Sequence, residues 1–77
     1  MAEFYTLLRI RVKKTGDYIA NAVKYDNYDT VIRQFYSLIS TDLGDSTLAY
    51  HSCQIIDSRC LVVESKFFSH EEEATNE

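Results

Sequence analysis

Proline is absent from this chain, and glycine, cysteine and histidine occur only twice each. Without proline, no strand edge is blunted by a missing backbone N–H. The two glycines, Gly16 and Gly44, stand alone, so there is no glycine-rich phosphate loop. No nucleophile elbow or paired-carboxylate motif occurs either, and no enzyme and no cofactor are expected. No apolar run approaches the ~20 residues that span a bilayer. Met1-Ala2-Glu3 begins no signal peptide, so a cytoplasmic protein without a membrane partner is expected.

The two cysteines, Cys53 and Cys60, flank a turn centred on Ser58. In that register Cys60 falls near Ile56 and Cys53 near Val63, so they are not opposite and a disulfide is excluded. Both are expected to be reduced, small apolar side chains. His51, Cys53, Cys60 and His70 are too scattered for a zinc signature, which keeps two ligands a few residues apart, twice over.

What is present suits a folded domain. The chain is 45% hydrophobic and 13% aromatic, above what a disordered chain carries. Its 77 residues make one domain with a small core, the size at which oligomerisation commonly adds stability. The net charge of −4 is polarised: residues 1–24 carry +3 and residues 25–77 carry −7.

Residues Asp26 to Gly44 form the clearest element. Val31, Ile32, Phe35 and Ile39 recur at helical spacing, with Tyr28 and Leu43 extending the stripe. Asp26 or Asn27 caps this helix, and Gly44 ends it in the left-handed conformation. Before it, Glu3–Lys13 alternates with period two, and Lys14-Thr15-Gly16-Asp17 turns into a return strand, Tyr18–Tyr25, with Ile19, Val23 and Tyr25 facing in. After it, Thr47–Ile56 and Cys60–Phe68 form a second hairpin about Asp57-Ser58-Arg59. The inner face of the third strand stays open between Leu48/Tyr50/Ile56 and Ala49/Cys53/Ile55. The expectation is an α+β fold, β-β-α-β-β, with a four-stranded antiparallel sheet and one helix on one face. Residues 1–68 form the domain, and 69–77 (SHEEEATNE) form a disordered acidic tail.

The functional expectation falls on the sheet face away from the helix. In the first strand Phe4, Thr6, Leu8, Ile10 and Val12 read as the buried side. That puts Tyr5, Leu7, Arg9 and Arg11 on the open side with Tyr50, Val62 and Phe68. Tyr5, Leu7, Arg9, Arg11 and Tyr50 are the expected interface residues, and a homodimer is the simplest partner. The alternative is nucleic-acid or nucleotide binding, with Tyr5 stacking on bases while Arg9, Arg11 and Lys13 hold phosphates. The acidic second half opposes that use. Asp26, Asp29, Asp42 and Asp45 could instead dock a basic protein partner.

The helix segment TVIRQFYSLIS and the hairpin AYHSCQIIDSRCLVVESKFF resemble small uncharacterised proteins of bacteriophages and prophages of Gram-positive bacteria. The resemblance spans residues 4–68: an aromatic near mid-helix, here Phe35, and an Asp-led turn running into a segment like VVESK. Asp57-Ser58-Arg59 stands where a glycine-containing turn is more usual. The resemblance implies an accessory protein that binds a host or phage protein, such as a factor modulating a nucleic-acid-handling machine. It transfers no catalytic residues.

Overall fold

A computed structural model describes residues 3–70. The elements are β1 (Tyr5–Lys13), β2 (Tyr18–Tyr25), α1 (Tyr28–Leu43), β3 (Leu48–Asp57) and β4 (Val62–Ser69). They form the expected α+β fold, a four-stranded antiparallel sheet of order β2-β1-β3-β4 with α1 packed on it. Both β2 and β3 are antiparallel to β1, so they run parallel to each other and need a crossover. The 16-residue α1 supplies it. A helix of that length rises about 24 Å, close to the ~26 Å of an eight-residue strand.

Asn27, not Asp26, caps α1: its Oδ1 accepts the Thr30 N–H at 3.2 Å. Gly44 closes it at φ −87° and ψ 0°, so the expected left-handed end does not form. Its N–H instead reaches the Thr41 carbonyl at 3.2 Å. Val31, Phe35 and Ile39 are buried against Leu7, Cys53 and Ile55. Tyr5, Tyr25, Ile32, Leu38 and Phe68 pack around that cluster. Leu43 turns outward, and the last buried position of the stripe belongs to Asp42.

The β1 face is opposite to the expectation. Leu7 is 2% exposed inside the core, and Tyr5 sets its ring edge-on to Tyr28 at the start of α1. The helix therefore covers the Tyr5-Leu7-Arg9 side and leaves Thr6, Leu8, Ile10 and Val12 uncovered. Pairing fixes the rest. Tyr25, Val23 and Ile19 lie beside Tyr5, Leu7 and Arg11, so the inward face expected for β2 is the helix-side face. In β3 the helix-side set is His51, Cys53, Ile55 and Asp57, all buried. Leu48 and Ala49 are buried together where the β1–β3 register shifts between Val12 and Lys13. Phe68 opposes His51 and packs on the core, so it too leaves the open face, where its neighbour Phe67 lies.

The two hairpins share one turn design. Gly16 N–H bonds the Lys13 carbonyl and Lys13 N–H bonds Asp17 O, each at 2.8 Å. Cys60 N–H bonds the Asp57 carbonyl and Asp57 N–H bonds Leu61 O, each at 2.9 Å. The third turn residue takes positive φ in both: Gly16 at 98° and Cys60 at 68°. Cys60 is exposed at this strained position, rather than buried as a small apolar residue. An L-residue there costs roughly 1–2 kcal/mol, part of which glycine gives back in chain entropy. Cys60→Gly is thus expected to raise stability by up to about 1 kcal/mol, read as a higher urea midpoint at unchanged slope.

Ser69 belongs to β4, and His70 donates its backbone N–H to Ala49 O at 2.7 Å, so the ordered chain runs past the expected boundary at 68. Of the tail expected over 69–77, residues 71–77 lie outside the described residues.

Candidate functional site

The uncovered sheet face is the more apolar of the two. It carries Thr6, Leu8, Ile10 and Val12 of β1, Tyr50, Ser52, Gln54 and Ile56 of β3, and Ser65 and Phe67 of β4. On β2 it adds Tyr18, Ala20, Ala22 and Lys24. Lys24 is the one charge at these positions, in a chain that is 26% charged. It sits at a corner, 5.0 Å from the Phe4 ring centroid and 3.9 Å from Asp26. Phe67 is 65% exposed and stacks on Tyr50 with ring centroids 6.0 Å apart. Ile10, Val12, Tyr50, Ser52 and Phe67 line a dimple of about 70 Å³, room for the tip of one side chain.

The charges sit on the helix side instead. Arg9 reaches Asp42 of α1 through two hydrogen bonds, Nη2–Oδ1 at 2.6 Å and Nε–Oδ2 at 3.1 Å. Asp42 is 1% exposed and Arg9 is mostly covered. The hydrogen bond to Asp42 raises the Arg9 pKa above its already high ordinary value. Arg11 donates to Asn21 Oδ1 at 3.2 Å and pairs across the ladder with His51. Lys13 Nζ reaches Thr47 Oγ1 at 3.4 Å. The three cations lie towards the C-terminal end of α1, where its last turn has no basic residue of its own.

Four of the five expected interface residues are therefore not on the open face. Tyr5 and Leu7 pack under the helix, Arg9 is held by Asp42, and Arg11 shares their side of β1; only Tyr50 lies where expected. The expected acidic quartet does not converge either. Asp26 and Asp29 are exposed at the start of α1, while Asp42 is buried in its ion pair. Asp45 accepts from the Thr47 backbone and hydroxyl, which lowers its pKa below the usual carboxylate value. The helix separates the two ends by about 20 Å.

Burial pushes the Cys53 thiol up to about 11, which makes it a poor nucleophile at neutral pH. A groove of about 310 Å³ opens between β2 and the helix, lined by Leu7, Arg9, Asn21, Val23, Tyr25, Gln34 and Leu38. Its lining holds no acid–base pair. Among the described residues, no three His, Cys, Asp or Glu side chains gather to hold a metal ion, and no helix is long and apolar enough to cross a membrane.

An α+β protein with an unpartnered, nearly charge-free sheet face is the class these features define. Comparison with known proteins returns no matching family, no matching curated relative and no matching solved structure.

Proposed function

We propose that the protein is a small non-enzymatic interaction module that self-associates through its open sheet face. One observation carries this reading: the face without a helix is the more apolar one and carries a single peripheral charge. A face meant for water alternates to polar residues, whereas the centre of an interface is depleted of charge. A nearly uncharged patch meets a copy of itself across a two-fold axis without like-charge repulsion. Four strands ~4.8 Å apart and ~26 Å long offer roughly 500 Å² per copy, so a face-to-face pair just reaches the ~1,000 Å² lower bound for a specific contact. The small core adds a motive, since a domain of this size gains stability by covering apolar surface.

Cytoplasmic accessory work of the phage type, by capture of a host or phage protein, belongs to the same proposal and rests on the resemblance over residues 4–68. Nucleic-acid binding finds less support. Arg9 is engaged by Asp42, and Arg11 and Lys13 lie on the helix side with it, apart from the open-face aromatics Tyr18, Tyr50 and Phe67.

Ile10 lies mid-strand on the open face, between Ala20 and Ser52. Light scattering after size exclusion should find a dimer for the parent chain and a monomer for Ile10→Glu with the same far-UV circular dichroism. A parent chain that stays monomeric at high concentration sinks the self-association, and a folded Ile10→Glu dimer moves it to another surface.

A further inference from the structure

We infer that His51 and His70 form a proton-operated latch on the end of β4, and that acid releases the Phe67 end of the open sheet face. His51 is 1% exposed, stacked on Phe68 at 4.9 Å and 19°, and its Nδ1 lies 2.8 Å from His70 Nε2. This contact and the bond from His70 N–H to Ala49 O tie down the last residues of β4. Immediately before His70 in the chain come Phe67, Phe68 and Ser69. Phe67 projects to the opposite face and stacks on Tyr50. The latch therefore sits on the covered side and holds a residue of the open side.

The chemistry of the contact makes it proton-sensitive. An imidazole–imidazole hydrogen bond needs one ring nitrogen to accept. The bond holds while His51 Nδ1 stays neutral and accepts from His70 Nε2–H. A proton on His51 turns its Nδ1 into a donor, which removes the acceptor for His70 Nε2–H and sets a positive charge in a buried site. Facing His51 are Asp42 from α1, Arg9 and Arg11 from β1, Cys53 on its own strand, and Lys66 and His70 from the β4 side. Burial lowers the His51 pKa from 6.5; Asp42 opposes that, while His70 and Arg9 add to it. Its Nε2 is buried without a hydrogen-bond partner among the described residues, so a proton there gains no compensating acceptor.

The sign follows from linkage. The unfolded chain binds the His51 proton more readily than the folded one, so this contribution is complete above about pH 6.5 and is lost as pH falls through the lower folded pKa. Opening the β4 end lets His51 charge in water, so the end yields before the sheet does.

The effect on association rests on the open-face reading above; the latch itself does not. Both are read separately on the full chain by NMR between about pH 7.5 and pH 5. Amide protection at His70 should fall by up to about tenfold per pH unit as pH drops from about 6.5 towards the lower folded pKa of His51, and Phe67–Tyr50 ring contacts should fade in step. Amides pairing β1 with β3 should keep their protection. His70→Ala should be unprotected there already at about pH 7.5 and lose the pH dependence. His70→Gln, which can still donate to His51 Nδ1, should restore protection at neutral pH. Constant protection at His70 across the range, or a His70→Ala profile like the parent's, overturns the latch. A chain that is monomeric throughout but shows the opening keeps the latch and sinks the dimer. A dimer whose affinity ignores the opening removes the coupling.

Discussion

Phe35→Ala is expected to cost about 3–5 kcal/mol, leaving a substantial part of the chain unfolded at body temperature. The ring has no exposed surface, sits at the centre of the stripe that holds α1 on the sheet, and meets Leu7, Cys53 and Ile55 in one cluster. Truncation leaves a void that its neighbours cannot close, because β1 and β3 are held by their ladder and Val31 and Ile39 by the same helix. At roughly 0.05–0.15 kcal/mol per residue, a domain of this length holds about 4–12 kcal/mol in total, so the loss approaches the lower end of the whole. Urea unfolding of Phe35→Ala should show a midpoint reduced by half or more, or no folded baseline. Phe35→Leu keeps most of the volume and should cost less than about 1.5 kcal/mol. Equal losses in the two variants would mean that the aromatic ring, not cavity volume, sets the energetics of this site.

The element order and the helix stripe were legible because they rest on local periodicity, and local periodicity survives folding. The choice of β1 face was not, and Arg9 shows why. A strand reading Tyr5-Leu7-Arg9-Arg11-Lys13 on one side and Thr6-Leu8-Ile10-Val12 on the other points the second set inward if polarity alone decides. The fold does the reverse because α1 brings a carboxylate, Asp42, to meet Arg9 33 residues away in sequence. Hairpin register carried the missing information. One residue more or less in the Lys14–Asp17 turn exchanges every side chain between faces, and the observed pairing of Tyr5 with Tyr25 aligns β1 with the β2 set Ile19, Val23 and Tyr25. In the fold those three residues share one side with Cys53 and Ile55, the alternative for β3 that the sequence alone left open.

The same inversion reshapes the candidate surface. The expectation that an amphipathic sheet face lies open holds in kind, with Tyr50 and Val62 on it, but it carries Ile10 of β1 and Phe67 of the edge strand β4 rather than Leu7 and Arg9. The His51–His70 contact was not legible. It needs His70 folded back onto β3, and a segment reading SHEEEATNE carries no local signal for that.

Asp42→Ala should be nearly as damaging as the loss of Phe35, at about 3 kcal/mol. Its carboxylate is one of the few buried charges, and removing it strands the Arg9 guanidinium under the helix with two N–H groups unanswered. The figure stays at the low end for a buried pair because Arg9 keeps 17% of its side-chain surface in water. Breaking one partner costs more than removing both, since an unpaired buried charge carries its full desolvation penalty while an apolar pair carries none. A double-mutant cycle separates these terms. Arg9→Met with Asp42→Leu should recover most of what Asp42→Ala loses, and the doubly substituted chain should unfold in urea near the parent midpoint. If the double variant is instead as weak as Asp42→Ala alone, the pair is a net source of stability and not merely a charge that must not be orphaned. Either way the pair has a second consequence. It lets a helix pack against the charged side of β1, and so leaves the apolar side of the sheet uncovered.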